Sequence, residues 1–335
     1  MPVAPERPGG AGARGARWPR RRCAFVNNMP DSAVLHTERQ FAGLLAAASG
    51  PLEVEMRGFA LPSLIRSPEM AGYVARKYSP LSELARFEPD VVVVTGSEPL
   101  SPSLADETYF AELVGLVEWS VAHASSLVLS CLAAHAALLA LDGIERSRLP
   151  EKATGVFAQR VAGAHALTAG IARDVVLPHS RLNDVASSAV EDAGYEVLAG
   201  SEEIGWGVAA RTVGHCELVL LQGHPEYDAS SLIREYRRDV DRFLAGASTA
   251  LPVLPVACVA PADSAALERF HERIVEGDRS LHGALPFDDL AKRAPWPWRA
   301  TATKLFTNWL AVSLERSGIS MPAAGAGGPR PDPQE

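Results

Sequence analysis

Residues 127–141 read LVLSCLAAHAALLAL. The run at 126–129 has the unbroken apolar character of a buried strand, and after Ser130-Cys131 the apolar residues return at helical spacing. A cysteine at such a joint stands on the tight turn where α/β enzymes display a nucleophile. There the positive end of the helix dipole lowers a thiol pKa, and the first N–H groups of the helix are placed to hold an oxyanion. A buried structural cysteine gives the same pattern, because Cys is among the most buried residue types. What decides between the two is what shares the strand's edge.

The neighbouring segments supply that edge. Residues 90–95, DVVVVT, are β-branched on both faces, as in a parallel strand covered from both sides, and they end in the turn Gly96-Ser97-Glu98-Pro99. Strands are also predicted at 23–26, leading into Asn27-Asn28-Met29-Pro30-Asp31, at 52–56, and at 217–221, ELVLL. Helices are predicted at 37–48, 107–123, 229–244, 265–276 and 301–315, and short strands follow Gly143 at 155–157, 175–177, 195–198 and 206–209. Residues 59–88, with Pro62, Pro68 and Pro80, read as a long irregular insertion of the kind that often carries function. This alternation predicts an α/β fold with a doubly wound, mostly parallel sheet flanked by helices. Ligands bind such sheets beyond the carboxyl ends of the strands.

The chain has 335 residues, 47% hydrophobic and 21% charged, the composition of a globular protein with room for a large core. No apolar run reaches the ~18 residues of a membrane span. Cys23, Cys131, Cys216 and Cys258 show no metal-ligand spacing, so neither a metal site nor a disulfide framework is expected, and a reducing cytoplasm fits best. Residues 1–22 hold six Arg against one Glu, which leaves −13 of the net −8 chain on the remainder. An acidic body argues against nucleic-acid binding. The expected organisation is a disordered basic leader at 1–21, a single domain at 22–318 and a disordered tail at 319–335.

The strand at 217–221 runs into Gln222-Gly223-His224-Pro225-Glu226-Tyr227-Asp228. A carboxylate two residues from an imidazole can fix its tautomer and leave the other nitrogen free as a base. In a parallel sheet this strand end lies on the same edge as Cys131. Cys131, His224 and Glu226 therefore form a candidate nucleophile–base–orienter triad. Gly96 and Ser97, at the neighbouring strand end, are candidate second donors to an oxyanion. Lys152 and Arg238 are cations suited to a substrate carboxylate. No P-loop, GxGxxG, GxSxG or HExxH is present, which leaves nucleotide hydrolysis, nicotinamide chemistry and zinc hydrolysis without support.

The ordered series of motifs resembles the homoserine O-acyltransferases of the succinyltransferase type, within the class I glutamine-amidotransferase-like superfamily. The matching segments include Asn27-Asn28-Met29-Pro30, Val94-Thr95-Gly96, Cys131 with its helix, Glu151-Lys152, Pro178-His179-Ser180-Arg181, Gly223-His224-Pro225-Glu226-Tyr227-Asp228, Glu235-Tyr236-x-Arg238-Asp239 and Leu305-Phe306-Thr307-Asn308-Trp309. The resemblance implies ping-pong transfer of a succinyl group from succinyl-CoA to the hydroxyl of homoserine, in methionine biosynthesis. Cys131 would carry the thioester, His224 would be the base and Glu226 its partner. It implies substrate-binding roles for Lys152, Ser180 and Arg238, and an oxyanion hole from Leu132 with Gly96 and Ser97. Acyl-CoA would be a co-substrate with no resident cofactor, and a homodimer would follow. The family's acyl-selecting position, Gly for succinyl and Glu for acetyl, aligns with Leu100, which is neither. Acetyl-CoA as donor, serine or another hydroxy-amino acid as acceptor, and a Cys-His-Glu hydrolase or amidotransferase on the same frame are the alternatives. Ser130, Leu132 and Ala133 around the cysteine, where an amidotransferase has Gly on both sides, speak against the last.

Overall fold

The computed structural model describes residues 20–281 and 283–319. In its first half β1 (Arg20–Val26), α1 (Val34–Ala48), β2 (Glu53–Phe59), α2 (Pro68–Lys77), α3 (Leu84–Phe87), β3 (Val91–Val94), α4 (Phe110–His123), β4 (Ser126–Ser130) and α5 (Leu132–Asp142) follow one another. Then come β5 (Ser147–Val161), β6 (Asp174–Asp184), α6 (Ser187–Asp192), β7 (Glu196–Ser201), β8 (Gly205–Val213) and β9 (Cys216–Leu221). The chain closes with α7 (Ser231–Leu244), α8 (Pro261–Val275), α9 (Phe287–Arg293) and α10 (Arg299–Arg316).

The strands form one sheet in the order β2-β1-β3-β4-β9-β8-β7-β5-β6. From β2 to β9 every pairing is parallel, and from β9 to β6 every pairing is antiparallel. The expected doubly wound α/β sheet is thus present, and its parallel half has the flavodoxin-like order. The antiparallel strands extend it beyond β9. Alternate residues of the parallel strands feed two separate cores. Phe25, Val93 and Val128 pack with Phe41 of α1, Tyr236 of α7 and Trp309 of α10 on one face. Val26, Val94 and Leu129 pack with Leu113 of α4 and Leu138 of α5 on the other. Burial on both faces is why these strands read as continuous apolar runs.

Three expectations change. First, β1 begins inside the expected leader: Arg21 is 1% exposed, its Nη1 pairs with Asp90 at 3.0 Å and its Nη2 donates to Ser313 O at 2.8 Å. A buried guanidinium persists because both of its terminal nitrogens are used. The rest of the leader, 1–19, and the tail from 320 lie outside the described residues. Second, the insertion at 59–88 holds α2 and α3. Ser67 caps α2 by accepting from Met70 N, and Pro68 sits in its first turn, where Pro starts a helix rather than breaking one. Third, this insertion contributes nothing to the pocket described below. Its Arg66 instead donates to Met29 O and Asn27 O, and Tyr78 accepts from Asn27 Nδ2, which anchors the turn after β1. Among the described residues no helix is long and apolar enough to cross a membrane.

Candidate active site

β4 and β9 are adjacent and parallel, with Ser130 opposite Leu221, so the loops carrying Cys131 and His224 leave the sheet side by side. The Cys131 N–H donates to Leu221 O at 2.6 Å, which locks the two together. Cys131 has φ 52° and ψ −110° at the N-cap of α5. Positive φ at a non-glycine residue costs of order 1–3 kcal/mol, and such strain clusters at functional turns. The other three cysteines are buried, and burial pushes the thiols of Cys23 and Cys216 up to about 12 and that of Cys258 up to about 11. Only Cys131 opens on a pocket, a cavity of about 330 Å³ at the carboxyl edge of the parallel strands.

His224 Nδ1 lies 2.8 Å from Glu226 Oε1, which also accepts from Ser130 Oγ at 3.4 Å. The carboxylate fixes the Nδ1–H tautomer. Nε2 is left buried, turned toward the Cys131 thiol, the other group it interacts with. Burial pushes the imidazole's pKa down, but Glu226 and then Cys131 outweigh it and hold the pKa well above its usual range. The turn is rigid: His224 N–H donates to Pro178 O at 2.8 Å, the imidazole stacks on Tyr227 at 4.3 Å, and Trp296 and Trp298 both donate to Tyr227 O. The three predicted triad members are therefore brought together.

The predicted oxyanion donors also converge. Leu132 N–H, first in α5, has no acceptor within the helix. Gly96 lies against it, and a Cβ there would sit 3.1 Å from Leu132 N and 2.9 Å from Leu132 Cβ. Ser97 lines the same wall. Gly96→Ala is expected to displace the Leu132 N–H and lower kcat by about 10²-fold, the cost of one oxyanion donor, and to lower stability by about 1–3 kcal/mol through the overpacking. Steady-state turnover beside a thermal melt reads this, and an unimpaired Gly96→Ala enzyme would remove Leu132 from the oxyanion site.

Lys152, Ser180 and Arg238 line the pocket, but each also holds an acidic residue of the chain itself. Lys152 Nζ donates to Asp239 Oδ2 at 2.8 Å and stands 3.7 Å from Glu235 Oε2. Arg238 uses Nε and Nη2 on Asp239 Oδ1, and Ser180 Oγ donates to Glu235. Glu235 also accepts from Tyr227 OH at 2.5 Å. Burial raises its pKa, yet Lys152, Ser180, Tyr227 and Arg238 more than offset this, so the carboxyl stays below its usual range. Sequence reasoning gave Glu235 no role. The signal was its i, i+4 spacing from Asp239 on one face of α7, with Arg238 between them. Leu100 is not brought in: it is 83% exposed and absent from the pocket lining, and its N–H is taken up by Glu107. His179 lies beneath the site, fully buried, with Arg181 donating to its Nδ1 at 3.1 Å.

The family model for homoserine O-succinyltransferase matches residues 16–317, nearly the whole chain. The chain belongs to the homoserine O-succinyltransferase family. A homoserine O-succinyltransferase of Methylorubrum extorquens is 41% identical over 313 residues, covering 91% of this chain and 92% of the relative. One from Rhodopseudomonas palustris is 43% identical over 291 residues, covering 87% of each. Among solved structures, a glutamine amidotransferase from Methylobacillus flagellatus is similar at a TM-score of 0.49 and 14% identity, over 91% of this chain and 98% of that one. Within this homoserine O-succinyltransferase family member, the triad and the Glu235 cluster share one pocket.

Proposed function

We propose that this chain is a homoserine O-succinyltransferase that works by ping-pong transfer through a thioester on Cys131, in methionine biosynthesis. The observation that carries the mechanism is the strained Cys131 turn beside the Nε2 of a histidine oriented by Glu226. The Cys131 proton passes to His224 Nε2, and the thiolate attacks the thioester carbonyl of succinyl-CoA. The oxyanion is held by Leu132 N–H and the Gly96 loop. Collapse expels the CoA thiolate, which takes the proton back from the imidazolium. Neutral His224 then removes the hydroxyl proton of homoserine as its oxygen attacks the acyl-cysteine, and Cys131 leaves as thiolate beside the imidazolium. Because the intermediate is itself a thioester, the first half-reaction is near balance and needs no other energy source. Water has to be excluded while it persists.

The far wall suits an amino acid. The ionised Glu235 faces the pocket as a partner for an ammonium group, and Nη1 of Arg238 is unused by Asp239 and suits a carboxylate. Acyl-CoA enters as co-substrate, and the chemistry asks for no resident cofactor. The four free thiols fit a reducing cytoplasm, and a homodimer rests on the family resemblance.

The test is a rapid mix with succinyl-CoA and no homoserine, followed by release of the free CoA thiol. One equivalent of CoA per chain is expected in a burst, with sustained release only after homoserine is added. CoA release that waits for homoserine from the first turnover would mean direct transfer in a ternary complex instead.

A further inference from the structure

Five cationic side chains line the pocket: Arg146, Arg148, Lys152, Arg181 and Arg238. Three are already matched with carboxylates, Lys152 and Arg238 with Asp239 and Arg181 with Asp184. Arg148 is exposed at the rim. Arg146 differs from all of these. It is half-buried, its side chain makes no ion pair or hydrogen bond with any described residue, and its Nε is enclosed without a partner. It lies in Coulombic reach of Cys131, and also of Tyr109 and Glu107. Glu107 does not neutralise it by a direct pair. That carboxylate accepts from the N–H groups of Leu100 and Ser101 at 2.7 and 2.6 Å, where it ties down the loop after β3.

A guanidinium offers five donors in a fixed fork, and leaving them unmatched in a partly desolvated site is costly. A carboxylate is the ligand that fork fits, bidentately. Of the two substrates, the amino acid has Glu235 and Arg238 on the α7 side. The acyl group on Cys131 has a second carboxylate only if it is dicarboxylic, two methylenes beyond the carbonyl in succinyl. We propose that Arg146 receives the distal carboxylate of the succinyl group and thereby makes the pocket select a dicarboxylic acyl donor over acetyl. This assignment rests on the acyltransferase reading above. It moves donor selection from Leu100, which the pocket does not contain, to the segment joining α5 and β5.

The experiment measures kcat/KM for succinyl-CoA and for acetyl-CoA on the full-length chain, in wild type, Arg146→Leu, Arg146→Lys and Arg148→Leu. The succinyl-to-acetyl ratio is expected to fall by about 10- to 100-fold in Arg146→Leu, the range of a hydrogen bond to a charged group, chiefly through KM for succinyl-CoA. Arg146→Lys should restore part of it. Because the ratio compares two donors on one preparation, loss of folded protein leaves it unmoved. An unchanged ratio in Arg146→Leu, even with both rates reduced, overturns the assignment and leaves Arg146 structural. An equal fall in Arg148→Leu overturns it in favour of a general attraction for anions. A wild type that transfers neither acyl group overturns the acyltransferase reading and this assignment together.

Discussion

Cys131→Ala is expected to lower kcat by about 10⁴-fold or more and to abolish burst release of CoA, the scale seen when a nucleophile is removed from a triad that acts as a unit. The fold should survive. Ala occupies the same φ of 52° at comparable strain, and the Cys131 N–H bond to Leu221 O is a backbone contact that the change leaves in place. Cys131→Gly should be equally inactive yet more stable than Cys131→Ala by about 1 kcal/mol, since glycine adopts positive φ without steric cost. Chemical denaturation beside turnover separates the two effects. A Cys131→Ala enzyme retaining a tenth of wild-type activity would place the nucleophile elsewhere.

His224→Ala is expected to cost about 10³- to 10⁴-fold in kcat, because both half-reactions pass a proton through Nε2. Glu226→Gln gives a more specific signature. Discharge of the acyl-enzyme needs neutral imidazole, so its rate rises with pH as His224 loses its proton. In the acyl-enzyme the thiol is masked, and Glu226 is the charge that still holds the His224 pKa up. Replacing it leaves burial unopposed, so the pKa falls and the acid limb moves to lower pH, with a reduced plateau from the lost orientation. Single-turnover discharge by homoserine across pH reads the limb directly. A limb that stays in place would show that Glu226 does not set the imidazole's charge.

The parallel half of the sheet was legible because each of its strands is buried on both faces. DVVVVT and ELVLL announce themselves without alternation, and each hands its residue to the same edge. The triad was legible for the same reason: strand ends fix Cys131 and His224, and Glu226 follows two residues later. The α2 helix was not legible. Its apolar face is short, Met70, Tyr73 and Val74, with none of them buried, and Pro68 was read as a breaker where Ser67 makes it a start. The α9 helix spans only seven residues, too few for a period to show. The polar wall was partly legible. Lys152, Ser180 and Arg238 do line the pocket, but their pairing with Glu235 and Asp239 joins β5, β6 and α7 across long stretches of chain. Arg146 carried no motif at all. What marks it is the absence of a partner in three dimensions, which no spacing encodes.

The most direct measurement is the intact mass of the chain after brief exposure to succinyl-CoA, followed by peptide mapping and then by addition of homoserine. One succinyl group per chain is expected, carried on Cys131 alone and discharged to O-succinylhomoserine when homoserine is added. Cys23, Cys216 and Cys258, whose buried thiols are held protonated, should stay unlabelled. No adduct, or an adduct on another residue that homoserine does not remove, would contradict the thioester on Cys131.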